Sequence, residues 1–200
     1  PRVVDWHGAR ALSEQVGAFR FRVDPMAFFQ VSGVAATALT ALVEEAADLT
    51  GRERVLDLHC GVGTFTVPLA HRAAEIVGVE AHPVAAQDAE HNLRLNRCPR
   101  ARIVQAQAEH ALPALARTGG WDVVILDPPR AGCSRQVLDA LCARAPRRLV
   151  YVSCDPSTLA RDLGVLTRGG FRCLRLQPVD LFPQTFHLET VAVLETGAAL

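Results

Sequence analysis

Lysine is absent from this 200-residue sequence: all 21 of its formal cations are arginine. A chain without lysine has no phosphate-binding loop of the GxxxxGK[ST] kind, whose lysine reaches the terminal phosphates. Cys-x-x-Cys pairs are absent too. The six cysteines, at 60, 98, 133, 142, 154 and 173, stand at least nine residues apart. That spacing excludes zinc knuckles, iron–sulfur runs and thioredoxin-like pairs within the chain, so no metal is expected. Apolar stretches are broken by Arg, Asp or Glu well short of the ~20 residues a spanning helix needs, and no membrane partner is expected. The ends show neither signal peptide nor anchor, and the cysteines read as reduced thiols of a cytoplasmic protein.

Net charge is missing as well. The arginines are balanced by 21 acidic residues, so no global basic field marks a nucleic-acid binder. Arginine in place of lysine is what a GC-rich genome produces; guanidinium recognition of phosphate would need arginines gathered on one face. Arg97, Arg100 and Arg102 cluster in sequence, as do Arg144, Arg147 and Arg148, but each group flanks a proline and reads as a solvated loop.

What remains is a globular chain: 50% apolar, 21% charged, with a mean hydropathy of +0.16. Its length suits one domain or a large piece of one, and the initial Pro1 reads as the start of a fragment. Residues 1–29 look irregular, with Phe19, Phe21 and Val23 alternating with Arg20 and Arg22 in the two-residue period of a strand. A helical pattern covers Val31–Leu49 until Gly51. Strand-like runs follow at Arg54–Leu58, Glu75–Glu80, Arg102–Gln105, Asp122–Leu126 and Arg148–Ser153. The helical stretches Phe65–Arg72, Val84–Asn96, Ala106–Arg117, Arg135–Arg144 and Thr158–Thr167 alternate with them. That alternation predicts an α/β fold with a doubly wound, mostly parallel sheet. Two more apolar runs, Phe171–Val179 and Leu188–Leu194, predict an antiparallel hairpin at the C-terminal edge, for about seven strands.

Two strand ends carry ligand chemistry. The first strand runs into Asp57-Leu58-His59-Cys60-Gly61-Val62-Gly63-Thr64. Gly61 and Gly63 let a ligand approach the backbone at a strand-to-helix turn. Glu80 ends the next strand, where such folds place an acid against ribose hydroxyls. The dinucleotide fingerprint wants a third glycine at position 66, which is Thr; the shortened GxG after an acid favours S-adenosylmethionine over NAD. The fourth strand ends in Asp127-Pro128-Pro129-Arg130. Two prolines hold the chain extended just beyond a strand end, and Asp-Pro-Pro suits a planar nitrogenous substrate beside a methyl donor.

Nucleophile and base have candidates nearby. Ser153-Cys154-Asp155-Pro156 ends the fifth strand, with Asp155 and Pro156 reading as N-cap and first-turn proline. Cys154 then sits beside a helix N-terminus, which stabilises a thiolate, although by position alone an inert buried thiol is an equal reading. Glu189, between Leu188 and an apolar run, reads as a desolvated general base, with His187 as the alternative.

Together these segments resemble the uracil-5-methyltransferases of tRNA and ribosomal RNA. The matching pieces are Phe28-Phe29-Gln30-Val31, Asp57 to Thr64, Asp127 to Arg130, Ser153 to Asp162, and Phe182 to Glu189, in family order over most of the chain. The resemblance implies a Rossmann-like, S-adenosylmethionine-dependent domain over residues 30–200, with residues 1–29 a lead-in left from a preceding domain. It implies that Gln30, His59, Thr64, Glu80 and Asp127 contact the cofactor, that Cys154 is the nucleophile and Glu189 the base, and that Arg130 holds the target uracil. Its RNA partner, tRNA or rRNA, would be gripped largely by an N-terminal module not found in this sequence. Two positions depart from the family: His59 replaces an aromatic residue, and Asp155 replaces Asn, setting a negative charge beside Cys154. An exocyclic-amine methyltransferase and an inactive cofactor-binding scaffold remain the alternatives.

Overall fold

In the computed structural model, the described residues are 7–29, 32–115, 117, 119–181 and 183–197. The predicted alternation is present: β3 (Arg54–Leu58), α2 (Thr66–Ala70), β4 (Glu75–Glu80), α3 (Pro83–Leu95), β5 (Ala101–Gln105), α4 (Ala108–Leu115), β6 (Val123–Leu126), α5 (Arg135–Ala143), β7 (Arg148–Ser153) and α6 (Pro156–Arg168). The hairpin strands β8 (Phe171–Val179) and β9 (Glu189–Thr196) follow. The seven strands form one sheet in the order β5-β4-β3-β6-β7-β9-β8, parallel except for β9, which runs antiparallel to both neighbours. The chain leaves β3 for β4 and β5 on one side and returns to β6 on the other. Ligands of open α/β sheets bind at such a switch point, beyond the strand carboxyl ends.

Strand periodicity divides the core in two. Val55, Val123, Ile125, Val150 and Val152 face one side, where α1 (Gly33–Ala47) and α2 cover them. Their neighbours Leu56, Val124, Leu126, Leu149 and Tyr151 face α4, α5 and α6. Both faces of the central strands are therefore apolar, which is why β6 reads as the unbroken run Val-Val-Ile-Leu.

Several ends differ from the sequence expectation for local reasons. Helix α1 stops at Ala47 because Asp48 takes a left-handed conformation (φ 50°), ahead of the break expected at Gly51. Aspartate tolerates that region better than most residues. The stretch expected as a helix over 65–72 shortens to Thr66–Ala70, with Pro68 inside it. Arg148 is no solvated-loop residue: it opens β7, with Nη2 2.5 Å from Glu195 Oε1 and Nη1 donating to Ala46 O at 3.0 Å. Arg102 likewise belongs to β5, lining a surface groove with Arg94 and Arg97.

Residues 12–23 form a separate hairpin, β1 (Leu12–Val16) and β2 (Phe19–Val23), whose Val16, Phe21 and Val23 enter the first core. The free edge of β2 is satisfied by a helix rather than a strand. Arg20 N, Arg22 N and Asp24 N donate to Asn96 Oδ1 (3.1 Å), Asn92 Oδ1 (2.7 Å) and Asp88 Oδ2 (2.6 Å). Asn92 and Asn96 return bonds to the carbonyls of Arg22 and Arg20 at 3.0 and 2.7 Å. The match is geometric: four helical residues rise about 6 Å and two strand residues about 6.7 Å. Asn92 also donates to Val62 O at 2.9 Å, which joins the hairpin to the glycine turn.

Candidate active site

The switch point opens into a cavity of 970 Å³. His59, Gly61, Thr64, Glu80, Asp127, Arg130, Cys154, His187 and Glu189 all line it. The structure thus gathers candidates from five separate segments. Gly63 is placed otherwise: it does not line the cavity, and a Cβ on it would meet Ala89 Cβ and Val67 Cγ2 at 3.6 Å, so it serves close packing of the turn against α3. Gln30, with Val31, lies outside the described residues, and so does Phe182.

On the glycine-turn side, Glu80 is held by backbone donors. Gly61 N donates to Oε2 at 2.9 Å and His82 N to Oε1 at 2.7 Å. Each carboxylate oxygen keeps a second lone pair, so the group can still accept from two ligand hydroxyls. Thr66 stands where the dinucleotide fingerprint has its third glycine, and its hydroxyl donates to the buried Asp57 Oδ2 at 2.5 Å. Burial, with Glu80 nearby, pushes the Asp57 carboxyl up to about 7. His59 holds a left-handed backbone (φ 64°), and its Nε2 is buried without a hydrogen-bond partner. Burial also lowers the His59 pKa, so the imidazole favours its neutral form.

The opposite side carries the candidate nucleophile and base. In the antiparallel ladder Arg148 pairs with Glu195 and Ser153 with Thr190. Cys154 follows β7 directly and Glu189 opens β9, so both stand at the Ser153–Thr190 end of that ladder, and both line the cavity. Burial raises the Cys154 thiol pKa, and the Glu189 and Asp127 carboxylates raise it further. This reverses the expectation that the α6 N-terminus would make the thiolate favourable at rest. Asp155, expected to be the unfavourable charge, is turned away into the helix cap. Its Oδ1 accepts from Ser157 N (2.9 Å) and Thr158 N (3.1 Å), and Oδ2 lies 4.0 Å from Arg130 Nη2. Asp127 is raised well above the usual carboxylate range by burial, then by Glu189, Asp57 and Glu80. Burial raises Glu189 as well.

Several cavity residues have no individual role in the sequence pattern. Met26, Phe28 and Phe29 arrive on the segment after the hairpin, and Phe65, Ala81, Pro83 and Ala85 add apolar wall. A period-2 run ending at Asp24-Pro25 is the only local signal, beyond the resemblance at Phe28-Phe29, that residues before 30 reach the site. Buried acids facing an apolar wall suit a ligand with a cationic centre and a flat, weakly polar group. Among the described residues no group of three His, Cys, Asp or Glu side chains is placed to hold a metal ion.

Relatives share this architecture. An uncharacterized RNA methyltransferase of Gloeobacter violaceus is 44% identical over 188 residues, 94% of this chain and 40% of the relative. A second, of Thermosynechococcus vestitus, is 45% identical over 191 residues, covering 95% of this chain and 42% of its own. The chain therefore spans about two fifths of the length of these relatives. The crystal structure of Pyrococcus abyssi tRNA (uracil-54, C5)-methyltransferase with S-adenosyl-L-homocysteine superposes with a TM-score of 0.82 at 33% identity, covering 94% of this chain and 45% of that one. A tRNA m1G37 methyltransferase of M. jannaschii, at 13% identity and a TM-score of 0.70, shares the fold. Residues 10–197 match the tRNA (uracil-5-)-methyltransferase family model, and the chain belongs to that family.

Proposed function

We propose that this protein transfers a methyl group from S-adenosylmethionine to carbon-5 of a uridine in tRNA or rRNA, through a covalent adduct on Cys154. The observation that carries the reading is that Cys154 and Glu189, at one end of the β7–β9 ladder, line a single cavity with Glu80 and Asp127. The donor fits the cavity on two counts: Glu80 keeps acceptor capacity for two ribose hydroxyls, and the half-buried Asp127 on the cavity wall is an acid whose ionised form a cation would favour. When bound, S-adenosylmethionine supplies an electrophilic methyl group on a sulfonium centre.

The residues of the chain do the rest. Uracil carbon-5 is a weak nucleophile; the Cys154 thiol loses its proton to solvent and its Sγ adds to carbon-6, breaking the carbon-5–carbon-6 π bond and placing that electron pair in an enolate whose carbon-5 is nucleophilic. Arg130 meets the uracil at the cavity rim. Once carbon-5 is methylated, Glu189 takes its proton, the carbon-6–sulfur bond breaks, and the thiolate leaves with the bonding electrons. A raised Glu189 pKa suits a base that must accept this proton. The target base leaves its stack to enter the cavity, whose volume accommodates it beside the donor. A chain with no net charge leaves most phosphate contacts to surfaces outside it, in keeping with an N-terminal RNA-binding module. Six free cysteines suit the reducing cytoplasm.

RNA containing 5-fluorouridine tests the reading. Fluorine cannot leave as a cation, so a carbon-5 enzyme stalls as a denaturant-resistant protein–RNA adduct. Methylation of RNA without any such adduct would point to an exocyclic-amine enzyme, which has no use for Cys154.

A further inference from the structure

Arg161 and Asp162 close the segment that supplies the nucleophile, yet neither lines the cavity nor enters the chemistry above. Both are spent on the loop that carries Arg130. Asp162 is fully buried; its Oδ2 accepts from Cys133 N at 2.8 Å and from Tyr151 Oη at 2.7 Å. Its Oδ1 accepts from Arg161 Nε at 2.9 Å. Arg161 Nη2 reaches on to Ala131 O at 2.8 Å and Cys133 O at 3.4 Å. One turn earlier on α6, Thr158 Oγ1 donates to Arg130 O at 3.0 Å. Position 132 leaves no room for anything but glycine: its φ is +76°, and a Cβ there would stand 2.5 Å from Arg161 Nη2 and 2.6 Å from Asp162 Oδ2.

A buried carboxylate satisfied by several donors is on its own an ordinary structural device. Here the grips fall on Arg130, Ala131 and Cys133, and they come from a helix whose first residue is two positions after Cys154. The helix that sets the nucleophile therefore also sets the loop that presents the guanidinium, with little freedom left between them. We propose that Thr158, Arg161 and Asp162 are positioning residues: they lock the Arg130–Cys133 loop onto the nucleophile helix and so fix where Arg130 holds the target base relative to the thiol. The proposal rests on the preceding reading, in which Arg130 meets uracil.

The test is the single-turnover rate of adduct formation on 5-fluorouridine RNA by the full chain, with S-adenosylhomocysteine affinity and melting temperature measured in parallel. Arg161→Lys keeps the charge but loses the planar fork that reaches carboxylate and carbonyls together. Its side chain is 55% exposed, so the fold tolerates the change. The expected result is adduct formation slowed about ten- to a hundred-fold, the order that follows from small misplacement of a substrate-holding group. S-adenosylhomocysteine affinity stays as in the unsubstituted protein. Thr158→Val, which removes the bond to Arg130 O, slows the same step in the same direction. In an Arg130→Ala background Arg161→Lys costs less than about two-fold, because a residue acting through Arg130 has nothing left to act on. An equal slowing in both backgrounds, or wild-type adduct rates in Arg161→Lys and Thr158→Val, overturns the inference while leaving the function intact. Absence of any adduct with the unsubstituted protein removes both.

Discussion

The two rims of the cavity are built by different means. On the glycine-turn rim, Glu80 is bonded into shape by two backbone donors, and Asp57, buried behind the turn, by Thr66. Behind it, Asp88 and Asn92 of α3 with Asn96 at its C-cap, spaced four residues apart, bind a strand that needs evenly spaced partners. On the Cys154 rim, Asp127, Cys154 and Glu189 come from three strand ends, and burial together with mutual repulsion raises the pKa of the thiol and of Asp127. Behind it, α6 gathers an irregular loop around one buried carboxylate, since a loop has no repeat for a helix face to match. The first rim is shaped by hydrogen bonds; the second shifts its thiol and acid toward their neutral forms.

The sharpest break in that contrast comes from Cys154→Ala. It should abolish both adduct and methylation, a loss of about a thousand-fold or more when a nucleophile is removed, while calorimetry finds S-adenosylhomocysteine affinity unchanged. Weakened cofactor binding in that variant would mean the rims are not separable. Glu189→Gln should stop one step later, so that natural uridine RNA carrying a labelled methyl group accumulates bound to Cys154 on denaturing gels. Free methylated RNA released at the wild-type rate would take Glu189 out of the mechanism and bring His187 forward.

Asp57 is fully buried behind the glycine turn, off the cavity wall. Its pKa rises from 3.8 unfolded to about 7 folded. A raised acid contributes stability that is fully present below the unfolded value and is lost as pH rises through the folded one. Wild-type stability should therefore fall between about pH 4 and pH 7 by up to about 4 kcal/mol from this group. Asp57→Asn keeps an oxygen for the Thr66 hydroxyl and cannot ionise, so denaturant titrations should show a flatter profile for it over that window. Parallel wild-type and variant profiles would show that Asp57 is not the titrating group.

A smaller effect belongs to Glu80→Ala. Loss of a charged acceptor should weaken S-adenosylhomocysteine by about 2–3 kcal/mol in calorimetry and leave the adduct chemistry of Cys154 at saturating ligand untouched. Unchanged affinity would place the ribose elsewhere. Smallest of all is Asp155→Asn. Asn caps a helix as well as Asp does, and the carboxylate already faces the α6 N-terminus and Arg130. Adduct rates should change by less than about five-fold, in keeping with a solvent-screened charge. A larger gain would restore Asp155 as the charge that holds Cys154 back.

Much of this was legible in the residue string because it depends on near neighbours. Alternating apolar runs marked all seven strands of the sheet, with β3, β4, β7 and β8 matching end to end. Asp155-Pro156 announced the start of α6, and the glycine turn with Glu80 announced the part of the cavity wall they form. The carboxylate of Glu189, set in an apolar run, already implied a raised pKa. What the string could not carry is anything decided by strands and helices meeting across the fold. Cys154 and Glu189 are 35 residues apart and reach the same cavity only because β9 enters antiparallel beside β7. Asn92 gives no sign in sequence that it joins a hairpin seventy residues earlier to the glycine turn, and Asp162 none that it anchors Cys133. The same holds for charge: a residue's own neighbours suggested that a helix end would favour the Cys154 thiolate, whereas desolvation and two carboxylates from other strands raise its pKa instead. Local conformational preference is written residue by residue, but burial and Coulomb interactions sum over everything the tertiary fold brings within a few ångströms.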